Sequence, residues 1–308
     1  MKIAEQYQLI IVLLFSTTLL KPIDLNGQGF EGSVIWSITD PKSNNESFIL
    51  GTLHIMDTSQ ISIPLHEIES LIQKCKVYCM EVDVNNSTMS FQQPIDPSFY
   101  FVKDTKINIL NSLDQDYRNK LFEIVKSFKM GPGLEIRRKL YLFKPQTLTF
   151  LLILEKQLSA SDNISNLNFQ PDTYFEKYAK TAQLDIDTLE SRQSQLEWVF
   201  QPDLSFDEGM IQLRSAIDQY DVKTEDLWLS YANQNLHGFS SSAQGEWMAQ
   251  RNVNMARKLE RLISTNSTFI TVGIAHLVGE NGLLNLLSLK GFIIEPVRID
   301  IHLNYKTQ

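Results

Sequence analysis

Two passages of the chain end an apolar run on an imidazole. FILGTLHI (Phe48–Ile55) contains Gly51-Thr-Leu-His54, and FITVGIAHL (Phe269–Leu277) contains Gly273-Ile-Ala-His276. Histidine is both a metal ligand and a side chain that changes charge near neutral pH. A lone Gly-x-x-His constrains only two positions; two of them, each closing an apolar strand of one sheet, point to a joint site. A glycine three residues before each histidine leaves room for close approach by backbone or by a bound substrate, so Gly51 and Gly273 are candidate substrate-binding positions.

Two further residues suit the same chemistry. In KVYCMEVDV, Glu81 follows apolar neighbours toward the end of a strand, where a carboxylate must pair, ligate a metal or stay protonated. In GEWMAQRNVNMARKLERLI, Arg251 shares a helix face with Trp247 and Met255, so its guanidinium either snorkels to water or faces an anion. His54, His276 and Glu81 could hold a divalent cation and lower the pKa of a bound water. Glu81 could instead be a general base, with Arg251 binding the substrate or stabilising an oxyanion. This is the inventory of a hydrolytic site. The remaining histidines, His66 early in an amphipathic helix, His237 in a polar passage and His302 near the end of the chain, read as surface or structural residues. GxSxG, HExxH, GxGxxG and P-loop sequences are all missing from the chain, which leaves a serine hydrolase or nucleotide site unsupported.

The elements that would carry these residues alternate in type. SVIWSITD and FILGTLHI form an expected hairpin across the turn-rich PKSNNES. Leu65, Ile68, Leu71 and Ile72 repeat at helical spacing after Pro64, and KVYCMEVDV follows as a strand. From about residue 94 to 244 the pattern is mainly helical, interrupted at LDIDTL before Glu190. The end returns to helix, strand (FITVGIAH), helix (GLLNLLSLKG) and a final strand FIIEPVRIDIHL, in which Pro296 suggests an edge or a bulge. The expected fold is therefore mixed α/β. Its sheet is built from both ends of the chain and flanked by helices, with a central helical insertion or cap.

Bulk properties narrow the partners. A net charge of −8 over 308 residues, with no basic run, argues against a nucleic-acid partner. Leu9–Leu20 has the length of a signal-peptide core and is short for a membrane span. The expectation is an exported chain, periplasmic or secreted. Residues 1–28 would be removed and 29–308 form a single domain, with membrane attachment only through an uncleaved N-terminal segment. Cys75 and Cys79 are too few for a disulfide scaffold and read as small buried residues, with an oxidised pair after export as the alternative.

Taken in order, FILGTLHI, YCMEVDV, Arg251 and VGIAHLVGENGLLNLLSLKGF resemble the TraB/PrgY/GumN family, which includes the TIKI metalloproteases. Leu277, Gly279, Gly282 and Gly291 continue its second histidine motif, while KPQTLTFLL, PDTYFEKYAK and LESRQSQLEWV resemble the family's middle segments. The resemblance implies a mixed sheet distantly similar to that of erythromycin esterases and ChaN haem-binding proteins. It also implies hydrolysis dependent on a divalent metal, manganese or cobalt rather than zinc, with a peptide or other small molecule as substrate. The alternatives are an ester or lactone hydrolase, and a protein that sequesters a peptide or haem without turnover, since such pockets use the same residue types.

Overall fold

The computed structural model describes residues 30, 32–83, 97–128, 133–159, 167–201, 203–220, 227–243 and 246–304; the proposed leader, including Leu9–Leu20, lies outside them. The alternating Ser33–Asp40 segment forms β1 (Ile35–Thr39), which turns back into β2 (Glu46–Thr52) with Ile35 opposite Leu50 and Thr39 opposite Glu46. Short strands β3 (Met56–Asp57) and β4 (Ile61–Ser62) precede α1 (Leu65–Ile72), which buries Ile68 and Ile72 and leads to β5 (Val77–Met80). The chain then forms α2 (Ile109–Ser112), α3 (Gln115–Lys126), α4 (Gly133–Lys139) and α5 (Pro145–Ser159). It continues through β6 (Leu167–Phe169), α6 (Pro171–Thr181), β7 (Asp185–Thr188), α7 (Arg192–Phe200) and α8 (Phe206–Asp218). Last come α9 (Leu227–Ala232), α10 (Glu246–Thr265), β8 (Thr268–Gly273), α11 (Leu283–Leu289), β9 (Ile293–Val297) and β10 (His302–Leu303).

These elements fall into two compact units. Of the described residues, one takes in those within 30–83, 167–191 and 227–304, and the other those within 97–159 and 192–220. The first contains a six-stranded mixed sheet in the order β7-β5-β8-β2-β1-β9. β7, β5, β8 and β2 run parallel, and β1 lies antiparallel between β2 and β9. β8 is buried along its whole length, as a strand between two parallel neighbours should be, and its Phe269 ring stacks on Tyr78 of β5 at 6.3 Å between centroids. On α10, Met248, Met255, Leu259 and Ile263 are buried at helical spacing.

Two features of this sheet differ from the sequence expectation. The expected final strand is broken: β9 ends at Val297, and β10 leaves to pair with β4 in a separate two-stranded sheet. Between them the Ile299 carbonyl accepts a hydrogen bond from the Gln234 side chain (2.8 Å) in place of a strand partner. Pro296 does stand on an edge strand, where its missing N–H costs little. The other edge, β7, comes from the helical middle of the chain rather than from either end.

The second unit is helical among its described residues, with α5 packed on α8. Its aromatic centre is Phe200, met edge-on by Tyr100 at 4.8 Å and by Phe150 at 6.0 Å. Side-chain caps set its helix starts: Asp114 accepts from the Tyr117 N–H, and Ser205 with Glu208 makes a reciprocal capping box. Among the described residues no helix is long and apolar enough to cross a membrane. Cys75 and Cys79 are both free thiols and both buried.

Candidate functional site

The parallel strands determine what meets at their carboxyl ends. β2 and β8 are neighbours in register, Gly51 opposite Val272 and Thr52 opposite Gly273, so the two Gly-x-x-His segments leave the sheet side by side. Met80, the last residue of β5, lies opposite Thr271 of β8 and Thr188 of β7. Glu81 therefore starts the loop beside Gly273, whose N–H donates to Glu81 Oε2 at 3.0 Å. On the other side the Glu190 N–H donates to the Glu81 carbonyl at 2.9 Å, which holds the chain just after β7 against the same loop.

The four side chains singled out in the sequence are thereby brought together. His54 Nε2 stands 3.6 Å from Glu81 Oε2, and His276 Nε2 stands 3.6 Å from Glu81 Oε1. Arg251 Nη2 donates to Glu81 Oε1 at 2.7 Å. Arg251 and His276 are fully buried, and Glu81 and His54 nearly so. His66 and His302, by contrast, have side chains that are 97% and 65% exposed, and His237 is exposed too.

Three residues that sequence reasoning did not place complete the cluster. Glu190 receives Arg251 as a fork, Nε at 3.0 and 3.2 Å and Nη2 at 2.7 Å. Asp172, in the first turn of α6, accepts from His54 Nδ1 at 2.7 Å, and the Thr52 hydroxyl lies 3.2 Å from the same carboxylate. Asn252, next to Arg251 on α10, sets its Oδ1 2.5 Å from His276 Nδ1 and donates through Nδ2 to the Asn281 carbonyl at 2.8 Å. Their only trace in the sequence is that PDTYF, LESRQ and RNVNM lie in or beside segments already noted; no periodicity distinguishes them.

Charge explains why these groups tolerate burial. Desolvation would raise the pKa of Glu81, but His276, Arg251 and His54 outweigh it and hold the carboxyl well below its usual range. Desolvation likewise opposes the charge on Arg251, and the carboxylates of Glu81 and Glu190 more than restore it. For His54, burial pulls the pKa down and the contact with Asp172, aided by Glu81, carries it above the ordinary value. Glu81 and Glu190 thus flank the one guanidinium, while Asp172 faces His54.

The glycines act through the backbone. A Cβ on Gly51 would sit 2.7 Å from Leu277 Cδ1 and 2.9 Å from Ile274 Cγ1. The space expected to admit a ligand is filled by the single 3-10 turn (Ile274–His276) that carries His276. Gly282 is similarly enclosed, since a Cβ there would strike the carbonyl oxygens of Leu277 and Val278 just ahead of α11.

As to a metal, Nε2 of both histidines and Nη1 of Arg251 are buried with no hydrogen-bond partner among the described residues. The 3.6 Å separations from Glu81 exceed a hydrogen bond and are near the edge, about 3.4 Å, of a four-coordinate site with ligand bonds of about 2.1 Å. Among the described residues, no group of three His, Cys, Asp or Glu side chains is placed so that it could hold a metal ion. The donor types fit a divalent cation, but Glu81 is engaged by Arg251 and the Gly273 N–H.

Four parallel strands of a mixed sheet, with a buried cluster of acids, imidazoles and a guanidinium at their carboxyl ends, define a mixed α/β protein whose candidate site lies where open sheets of this class bind ligands. The chain belongs to the TraB/PrgY/gumN family, whose model matches residues 34–296. No curated protein and no solved structure matches it.

Proposed function

We propose that this chain is an exported hydrolase dependent on a divalent metal, with a peptide as the expected substrate. The observation that carries the reading is the convergence of two bare, buried Nε2 atoms on the two oxygens of one carboxylate. His54, His276 and Glu81 would hold the ion, manganese or cobalt rather than zinc. The bound ion would supply Lewis acidity and a water of lowered pKa. Arg251 keeps Glu81 ionised and oriented, and its unpartnered Nη1 is the donor available to a developing oxyanion. Glu190 holds the guanidinium plane so that Nη1 stays free for that task. Export rests on the apolar Leu9–Leu20 segment alone.

Purified chain, stripped with chelator and reloaded with manganese or cobalt, is expected to cleave members of a peptide library. His54→Ala, His276→Ala and Glu81→Gln should each lower turnover by about 10²–10⁴-fold. Equal turnover in the histidine variants would sink the mechanism, and products from an ester panel but not from peptides would move the substrate class.

A further inference from the structure

The two Gly-x-x-His segments look alike in sequence, yet the groups behind their histidines differ. His54 Nδ1 faces the Asp172 carboxylate at 2.7 Å, and His276 Nδ1 faces the Asn252 carboxamide at 2.5 Å. We propose that Asp172 and Asn252 are the positioning residues of this site, each accepting the Nδ1 proton of one imidazole and so turning a bare Nε2 toward Glu81.

For His276 the argument runs through a third group. The Asn252 amide is oriented by the Asn281 carbonyl, which can only accept and lies 2.8 Å from Nδ2. Oδ1 must then face the ring, and two lone pairs cannot meet at 2.5 Å, so Nδ1 carries the proton. For His54, an ionised carboxylate has no proton to give, so the ring nitrogen opposite it is the donor. Asp172 is steadied as an acceptor by the Thr52 hydroxyl at 3.2 and 3.3 Å and by its place in the first turn of an 11-residue helix, where negative charge is favoured. Each ring has one nitrogen left. Both are buried and have no hydrogen-bond partner among the described residues, and both lie 3.6 Å from Glu81. A carboxylate or carboxamide behind the ring is the arrangement that orients histidine ligands and strengthens them. Two different devices, one anionic and one neutral, thus serve imidazoles that arise from one motif.

The inference rests on the hydrolytic reading for its purpose but is tested without turnover. Long-range ¹H–¹⁵N correlation spectra of the histidine side chains in the full, metal-free chain at alkaline pH report which nitrogen of each neutral ring is protonated. Five histidines are to be assigned, by single substitution. The expected spectrum shows a protonated-type Nδ1 and an unprotonated-type Nε2 for both His54 and His276. Asp172→Ala should mix the tautomers of His54 alone, and Asn252→Ala those of His276 alone. In cobalt titrations each variant should bind about 10–100-fold more weakly than the parent. A protonated Nε2 on either ring in the parent chain overturns the proposal, whether or not the variants fold. Both rings in the expected tautomer, in a reloaded chain that hydrolyses nothing, would remove the hydrolase reading and leave these roles standing.

Discussion

Arg251 is held between two carboxylates with no access to water, and that arrangement sets the consequence of losing it. Arg251→Met would leave Glu81 and Glu190 as buried acids without their shared counter-charge. The expected loss is about 3–5 kcal/mol of folding stability, read from urea denaturation, and Glu190→Gln added to that variant should recover part of it. A variant within 1 kcal/mol of the parent, a margin typical of exposed pairs, would show that the fork is not the anchor its geometry indicates. The buried thiols make a separate case. Burial raises the Cys75 thiol to about 12 and drives Cys79 higher still, so neither should react with iodoacetamide at pH 8 until the chain unfolds. The sign of the pH effect follows. Up to about pH 9, the ordinary thiol value, both states keep the proton of Cys75 and stability is unaffected. Between about 9 and about 12 only the unfolded chain ionises, and stability falls. Comparing Cys75→Ala with the parent across that range isolates the contribution, and a parent whose thiols label readily when folded would contradict the burial.

At the level of elements, the site depends on how the second motif's turn seats on the first motif's strand. Gly51 is where they touch, with the Tyr231 hydroxyl also donating to its carbonyl at 2.8 Å. Gly51→Ala should cost about 1–3 kcal/mol, because Ile274 Cα, which is backbone, lies 3.1 Å from the added carbon and cannot swing aside. The same substitution should shift the His276 ring signals while leaving those of the exposed His66 in place. An unchanged melting temperature and unchanged His276 signals would mean that the turn is seated elsewhere. The elements also show what periodicity can and cannot convey. The β1–β2 hairpin, α1, β5 and β8 were legible because alternation or helical spacing repeats over several residues in each. β10 was not legible as a separate element, since FIIEPVRIDIHL is apolar enough to continue, and its pairing with β4 and the Gln234 contact at Ile299 are tertiary.

For the whole molecule, the sheet order makes β8 the last strand to lose its protection. It lies between β5 and β2 and is wholly buried, whereas β9 is an edge strand with Ile293 half exposed. Hydrogen exchange followed by mass spectrometry should find the slowest amides in peptides covering β8 and β2 and markedly faster exchange in β9. Equal protection across the sheet would argue that β9 is covered in solution. The four side chains proposed from the sequence come from residues 54, 81, 251 and 276, and a cluster so spread can form only after the parallel strands have paired. Local sequence determined much of what enters it. A histidine closes each of two apolar strands, Glu81 follows a third, and an amphipathic helix presents Arg251; each is a short-range pattern that burial and strand alternation make readable. Tertiary structure alone decided the rest. That β8 inserts between β5 and β2, that β7 brings Glu190 alongside, and that α6 delivers Asp172 to His54 are pairings between distant segments. Hydrogen bonds and ion pairs of that kind leave no period in the chain, because what selects each partner is proximity after folding rather than spacing before it.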